Sequence, residues 1–161
     1  MAPGSLTARL RQHGAVRVQV GQQGRQKLWP HEAAHIGQAH GHVREVILWV
    51  DERPAVWARS VTAQGDARGP WRAIKGLGNR PLAEVLFMDA TIRRTPLQCA
   101  LWPAHGLPWS HRRRAWLRSL SDATTTLQAL PAWARSSVFV RRGAPLLVTE
   151  CFAPWLTTLS P

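Results

Sequence analysis

Acidic residues are scarce in this chain. It has 9 aspartates and glutamates against 21 lysines and arginines, which gives a formal net charge of +12 at pH 7. After Asp89, only Asp122 and Glu150 are acidic. So basic a chain can bind nucleic acid, an anionic membrane surface or a small anion. Because the positive charges are mostly dispersed along the sequence, we expect no nucleic-acid partner.

Long hydrophobic runs are absent as well. No segment approaches the roughly 18 consecutive apolar residues of a membrane-spanning helix, and the N-terminus has no apolar core typical of a secretory signal. The two cysteines, Cys99 and Cys151, lie in apolar runs without metal-type spacing. They are therefore expected to be buried thiols in a reducing compartment. We expect a cytoplasmic monomer without stable membrane insertion.

The pattern of apolar residues predicts one domain over residues 1–161. Six strands are predicted, at 15–20, 43–50, 54–61, 91–102, 134–140 and 145–152. Short helices are predicted between them, at 6–13, 30–38, 70–75 and 81–87. Strands and helices do not alternate in the manner of a parallel sheet. The order of elements therefore predicts an α+β fold, with a single six-stranded antiparallel sheet and short helices packed over it.

Two charged residues have apolar neighbours on the predicted strands. Glu150 shares a strand face with Leu146, Val148 and Phe152, because side chains two residues apart point to the same side. Arg44 has a similar position in the strand at 43–50. A charge in such a place is costly unless something compensates it. One explanation is a structural ion pair or an edge position open to water, and the other is a pocket in which both groups contact a ligand.

Residues 31–35 read His-Glu-Ala-Ala-His, the short signature of zinc peptidases. Two histidines one helical turn apart could bind zinc, with Glu32 as the base. The longer metalloprotease pattern needs a glycine and a third histidine at positions that Gly37 and His40 miss by one residue each. We therefore expect a solvated surface helix and no bound metal.

Five stretches together resemble the chorismate pyruvate-lyase family, in the family's order and across nearly the whole chain. The stretches are Ser5-Leu6-Thr7-Ala8-Arg9-Leu10, Arg44-Glu45-Val46-Ile47-Leu48, Trp57-Ala58-Arg59, Arg80-Pro81-Leu82-Ala83-Glu84-Val85-Leu86-Phe87 and Pro145-Leu146-Leu147-Val148-Thr149-Glu150-Cys151-Phe152. The resemblance implies an enzyme without a cofactor that converts chorismate to 4-hydroxybenzoate and pyruvate, at the entry to ubiquinone biosynthesis. It also implies an antiparallel sheet whose helices enclose a ligand pocket.

The resemblance also implies which residues bind and act. Arg44 is expected to pair with the carboxylate of 4-hydroxybenzoate, and Glu150 is expected to meet the hydroxyl at its far end and to act as an acid or a base. Backbone groups of Leu6 and Leu82 match the family's other ligand contacts. Both leucines fall at predicted helix starts, where free amides attract a carboxylate.

The chain departs from the family pattern in three places. The family usually has further residues ahead of the Ser-Leu-Thr stretch, so the pocket is expected to be less covered here. Residues 103–132 form an enlarged loop relative to the shorter members, and no role transfers to them. Ala58 occupies a position at which some members have glycine, and a change in packing beside the site is expected.

Other classes of function remain as alternatives. A non-catalytic domain that senses a small molecule can use the same scaffold, although such regulators carry a separate DNA-binding domain. A nucleic-acid-binding module and a zinc peptidase follow in that order. The basic run at 111–118 is expected to be a solvated helix face, with weak peripheral contact to an anionic membrane as a further hypothesis.

Overall fold

The computed structural model describes residues 5–96, 98–101, 114 and 133–158. The strands are β1 Val16–Lys27, β2 His40–Val50, β3 Arg53–Ala63, β4 Arg93–Arg94, β5 Gln98–Leu101, β6 Trp133–Arg141 and β7 Ala144–Phe152. The α-helices are α1 Leu6–Leu10, α2 Pro30–Ile36 and α3 Ala83–Leu86, and 3₁₀ helices cover Arg72–Gly76 and Pro154–Thr158. Of the predicted 103–132 loop, all but residue 114 lies outside the described residues.

The strands form one antiparallel sheet in the order β1-β2-β3-β7-β6-β4, and β5 also pairs with β6. The predicted six-stranded sheet is thus confirmed in its positions, but the predicted strand at 91–102 is divided into β4 and β5. Thr95 lies between them and exchanges two hydrogen bonds with Val138, through its amide at 2.9 Å and its hydroxyl at 3.0 Å. Pro96 follows and has no N–H to donate, so the regular ladder is interrupted.

Strand β1 is longer than predicted. The glycines at 21 and 24 were expected to end it after Val20, yet the strand continues to Lys27 with a bulge between Val20 and Gln22. Gly24 has a φ of +141°, which is open to glycine. A bulge absorbs the extra residue while pairing with β2 resumes beyond it. The prediction that the glycines terminate the strand was therefore wrong.

A two-residue turn joins β6 to β7. Arg142 and Gly143 have φ values of +51° and +76°, as the favoured tight hairpin turns require. Arg141 therefore pairs with Ala144, and the same register places Arg135 directly opposite Glu150. The turn thus fixes which side chains meet on the sheet face.

One face of the sheet packs against α2 through a buried ion cluster. Arg59 on β3 binds Glu32 of α2 through two hydrogen bonds, at 2.6 Å and 2.9 Å, and also binds Glu45 of β2. Arg59 and Glu32 are each 1% exposed, and the ring of Trp29 lies 3.8 Å from the guanidinium carbon of Arg59. Glu32 is thus a buried structural acid, while His35 on the same helix is exposed, as expected for a surface helix. Among the described residues, no group of three or more metal-ligating side chains is placed to hold an ion.

Two further buried side chains are those of Cys151 and His42. Cys151 is buried, as expected, while the side chain of Cys99 is outside the described part of the chain. His42 is 5% exposed, and its Nε2 has no hydrogen-bond partner. Burial lowers the pKa of His42, and the nearby Lys75 lowers it further. No helix in the described ranges is both long enough and apolar enough to cross a membrane.

Candidate active site

A cavity lies between the second face of the sheet and the segments that cover it. Strands β1, β2, β3, β6 and β7 provide its floor, and α1 together with residues 81–87 covers it. The empty space measures about 640 Å³, including the part open to solvent. Its charged lining residues are Arg44, Arg94, Arg135 and Glu150. The remaining lining is apolar apart from Thr7, Ser60 and Ser137, so charges in the cavity are weakly screened.

Arg44 is the most deeply buried charge in the cavity, at 1% exposure. One terminal nitrogen, Nη2, donates hydrogen bonds to the carbonyl oxygens of Gly78 and Arg80, both at 3.0 Å. Its Nε is buried without any hydrogen-bond partner. Burial lowers the pKa of Arg44, and none of the ion pairs in the described residues includes it. A buried guanidinium without a carboxylate partner is a strong attractor for an anionic ligand.

Glu150 pairs with Arg135 and not with Arg44. The Nε of Arg135 donates a short hydrogen bond to Oε2 of Glu150, and the two side chains are 15% and 17% exposed. The hypothesis of a structural ion pair is therefore right for Glu150, although its partner is on the adjacent strand. Both side chains nevertheless line the cavity with Arg44. Arg44 and Glu150 therefore line one cavity, and their contact with a common ligand stays a prediction.

The distance between the two predicted site residues follows from the sheet register. Arg44 pairs with Ser60, Ser60 pairs with Val148, and Glu150 lies two residues further along β7. Two strand spacings and two residues of rise separate their Cα atoms by about 12 Å. Since both side chains project into the cavity, this distance leaves room for one aromatic ring between their charged ends.

The other two predicted contacts lie at the cover of the cavity. Leu6 is the first residue of α1, and Leu82 immediately precedes α3. Amides in the first turn of a helix have no partner within the helix, although Ser5 accepts the amide of Ala8 at 3.4 Å. Both leucines line the cavity. The predicted helix 81–87 is shorter than expected, but Leu82 is still at its start.

Arg94 and Arg135 also line the cavity, and neither was predicted from the sequence to belong to the site. Arg135 could have been predicted from the sequence. In a hairpin with a two-residue turn at 142–143, residues equally far from the turn face each other, so Arg135 lies opposite Glu150. For Arg94 no such signal exists, since its strand joins the sheet across the long interval before β6. Its position depends on tertiary pairing with Phe139.

Fold and cavity together define a small α+β domain with a cavity lined by arginines against one face of an antiparallel sheet. The sequence pattern of the chorismate lyase family matches residues 1–158. The chain therefore belongs to the chorismate lyase family. The chain is 49% identical to the probable chorismate pyruvate-lyase of Albidiferax ferrireducens, over 98% of this chain and 83% of that protein. It is 45% identical to the one of an Azoarcus species, over 94% of this chain and 80% of that protein.

Several solved structures have a similar fold, and some of them are named as transcriptional regulators. The effector domain of PhnF from Mycobacterium smegmatis superposes with a TM-score of 0.57 at 17% identity, and the match covers 96% of this chain and 91% of that domain. The ligand-binding domain of a putative GntR-family regulator from Bordetella bronchiseptica gives 0.54 at 10% identity, over 88% and 86% of the chains. These likenesses show the fold alone. The closer sequence relatives are named as lyases, which favours the enzyme over the sensor.

Proposed function

We propose that this chain is a chorismate pyruvate-lyase, which eliminates pyruvate from chorismate to give 4-hydroxybenzoate in the first committed step of ubiquinone biosynthesis. The observation that carries the proposal is the charge of the cavity. Among the described residues, three guanidiniums and one carboxylate line it, so two of these positive charges have no negative counterpart there. Chorismate carries two carboxylates, and a dianion would neutralise this surplus inside an otherwise apolar chamber.

Arg44 binds the ring carboxylate in this proposal. Its Nη2 is held by two carbonyl groups, which fixes the plane of the guanidinium. Because Nη2 already donates to these two carbonyl groups, the carboxylate accepts its charge-assisted hydrogen bond from Nη1. Because the site is already desolvated in the free protein, little reorganisation is needed when the ligand arrives. Free amides at Leu6 and Leu82 offer further contacts from the cover.

Glu150 contacts the hydroxyl on the ring carbon opposite the carboxylate. The reaction breaks the bond between the ring and the ether oxygen, and the carbon bearing the hydroxyl loses its hydrogen as a proton. The departing enolpyruvate takes up a proton and becomes pyruvate, so the atoms balance without water or a cofactor. Glu150 can accept the ring proton or deliver the proton to the leaving group, and both roles are forms of general acid–base catalysis.

The cavity walls supply orientation. Aliphatic side chains from β1, β2 and β7 line the floor together with Phe139 of β6, and Leu86 and Phe87 belong to the cover. A flat ring held between such walls keeps its reacting bonds aligned, and positioning of this kind contributes a large part of many rate enhancements. An aromatic product that fits the same chamber should leave slowly, so 4-hydroxybenzoate is expected to inhibit.

The cellular location, the oligomeric state and the partners of the enzyme are proposals as well. We place it in the cytoplasm as a monomer without nucleic-acid partners. The basic run at 111–118 lies outside the described residues except for Arg114. Its weak contact with anionic membranes stays a hypothesis, which sedimentation with anionic vesicles at low salt would test.

One incubation tests the proposed reaction. Purified protein treated with a chelator is mixed with chorismate, and pyruvate and 4-hydroxybenzoate are measured separately. We expect equal amounts of both products at a rate far above that of a heat-treated sample. Turnover that stops after chelation would indicate a metal-dependent reaction. If the protein bound chorismate without releasing pyruvate, the sensor alternative would replace the enzyme.

A further inference from the structure

Arg94 is an unusual member of the cavity because nothing in the described residues neutralises it. Its Nε is buried and has no hydrogen-bond partner. The ion pairs of the described residues do not include it, and its guanidinium carbon lies 5.5 Å from the ring centre of Phe139. A positive charge thus lines the cavity beside an aromatic ring, without an ion pair among the described residues.

The neighbours of Arg94 make its position still less favourable in the empty cavity. Burial lowers the pKa of Arg94, Arg135 lowers it further by like-charge repulsion, and Glu150 opposes both effects. Glu150 already accepts a short hydrogen bond from Arg135. One carboxylate thus serves two guanidiniums at this end of the cavity, and the end carries one positive charge in excess.

A purely structural role does not account for this arrangement. Arg59, on the opposite face, shows how this fold compensates a buried arginine, since two carboxylates contact it. Arg94 has no carboxylate in contact with it within the described ranges, and yet it lines the same chamber as Glu150. An unpaired guanidinium in a partly desolvated place gains most from an incoming anion.

We propose that Arg94 and Arg135 form a second anion subsite, which holds the enolpyruvyl carboxylate of the substrate beside Glu150. This inference rests on the proposed function for the identity of that carboxylate. Arg44 then binds the carboxylate that substrate and product share, and Arg94 binds the one that only the substrate has. Arg94 is therefore the residue by which the cavity distinguishes the substrate from its aromatic product.

Two stable ligands isolate this second subsite. In 3-methoxy-4-hydroxybenzoate the ether carries a methyl group, and in 3-carboxymethoxy-4-hydroxybenzoate the same ether carries an additional carboxylate. Neither compound can undergo the elimination, so their dissociation constants report binding alone. We expect the wild-type protein to bind the dicarboxylate at least about tenfold more tightly than the methoxy compound, as close charge pairs do.

The variant Arg94→Gln should lose this preference while it binds the methoxy compound as the wild type does. Arg94→Lys keeps the charge without the planar fork and should retain part of the preference. Arg93→Gln is the matched control, because Arg93 is the exposed neighbour on the same strand, and it should behave as wild type. Calorimetric titration gives each constant, and the preference of the wild type should also fall as salt is raised.

The outcomes separate this inference from the proposed function. A wild-type protein that shows no preference for the dicarboxylate overturns the second subsite, and so does Arg94→Gln with an undiminished preference. If the wild type prefers the dicarboxylate through Arg94 and yet releases no pyruvate from chorismate, the second subsite is supported and the proposed lyase activity is refuted.

Discussion

Replacing Arg44 by methionine removes the buried guanidinium of the cavity and keeps an unbranched side chain that reaches about as far as Nε. Arg44 is 1% exposed and has no carboxylate partner in the described part of the chain. The bound carboxylate of 4-hydroxybenzoate would be left without its cation. Losing one member of a desolvated charge pair costs about 2–5 kcal/mol. We therefore expect the dissociation constant for 4-hydroxybenzoate to rise roughly 30-fold to 5,000-fold.

The same variant should change the stability of the free protein much less. It loses two hydrogen bonds to the carbonyl groups of Gly78 and Arg80, but both residues are exposed and water can replace the donor. The variant also relieves the cost of burying an unpaired charge. We expect the free energy of unfolding to change by no more than about 1 kcal/mol, as measured by urea titration without ligand.

Calorimetry with 4-hydroxybenzoate measures ligand binding, and the urea titrations measure stability. Together they show whether Arg44 binds the ligand or only stabilises the fold. The matched control is Arg25→Met, at an exposed arginine of β1, which should leave both quantities unchanged. Normal binding by Arg44→Met would refute the reasoning. If normal binding came with a loss of stability of about 3 kcal/mol or more, the residue would be a structural anchor for the segment around Gly78.

Three further predictions concern catalysis, the buried ion cluster and pH. Glu150→Gln should lower kcat for chorismate by about 100-fold to 10,000-fold, in a coupled assay of pyruvate. Arg59→Met leaves Glu32 and Glu45 buried without their cation, and should lower the free energy of unfolding by about 3–5 kcal/mol. Because burial lowers the folded-state pKa of His42, the unfolded chain takes up a proton first, and stability is lost as pH falls below about 6.5. One group can account for a loss of at most about 1.4 kcal/mol per pH unit. The variant His42→Gln should lack this contribution when its free energies of unfolding at pH 7.5 and pH 5.5 are compared.

Each of these predictions has a result that contradicts it. Unchanged turnover in Glu150→Gln would leave that residue with a structural role only. For the ion cluster, the control is Glu84→Gln, which breaks an exposed pair with Arg80 at 3.7 Å and should change stability by less than about 1 kcal/mol. An Arg59→Met variant as mild as this control would show that the cluster contributes little. Identical pH dependence in wild type and His42→Gln would mean that His42 is not the group that titrates.

The central strands could be predicted from the sequence because their apolar residues alternate over long runs. Arg44 and Glu150 stood out for the same reason, since a charge within such a run has to be compensated by something. The edge of the sheet was less predictable. Pairing with β2 carries β1 beyond two glycines, and Thr95 and Pro96 divide the strand near the opposite edge.

The partners of the buried charges depend on contacts between distant segments of the chain. These partners could not be predicted from the sequence. Arg59 meets Glu32 only because α2 packs on the face of β3, and nothing in the sequence between them records that contact. Arg94 reaches the cavity only through the pairing of β4 with β6. Arg135 is the exception, because the tight turn at 142–143 fixes its position opposite Glu150.

A crystal structure of the protein with 4-hydroxybenzoate tests the central claim most directly. The account predicts the ring inside the cavity, with its carboxylate within hydrogen-bond distance of Arg44 and its hydroxyl within hydrogen-bond distance of Glu150. A ligand bound in the reverse orientation, or one found only outside the cavity, would contradict the assignment of both residues.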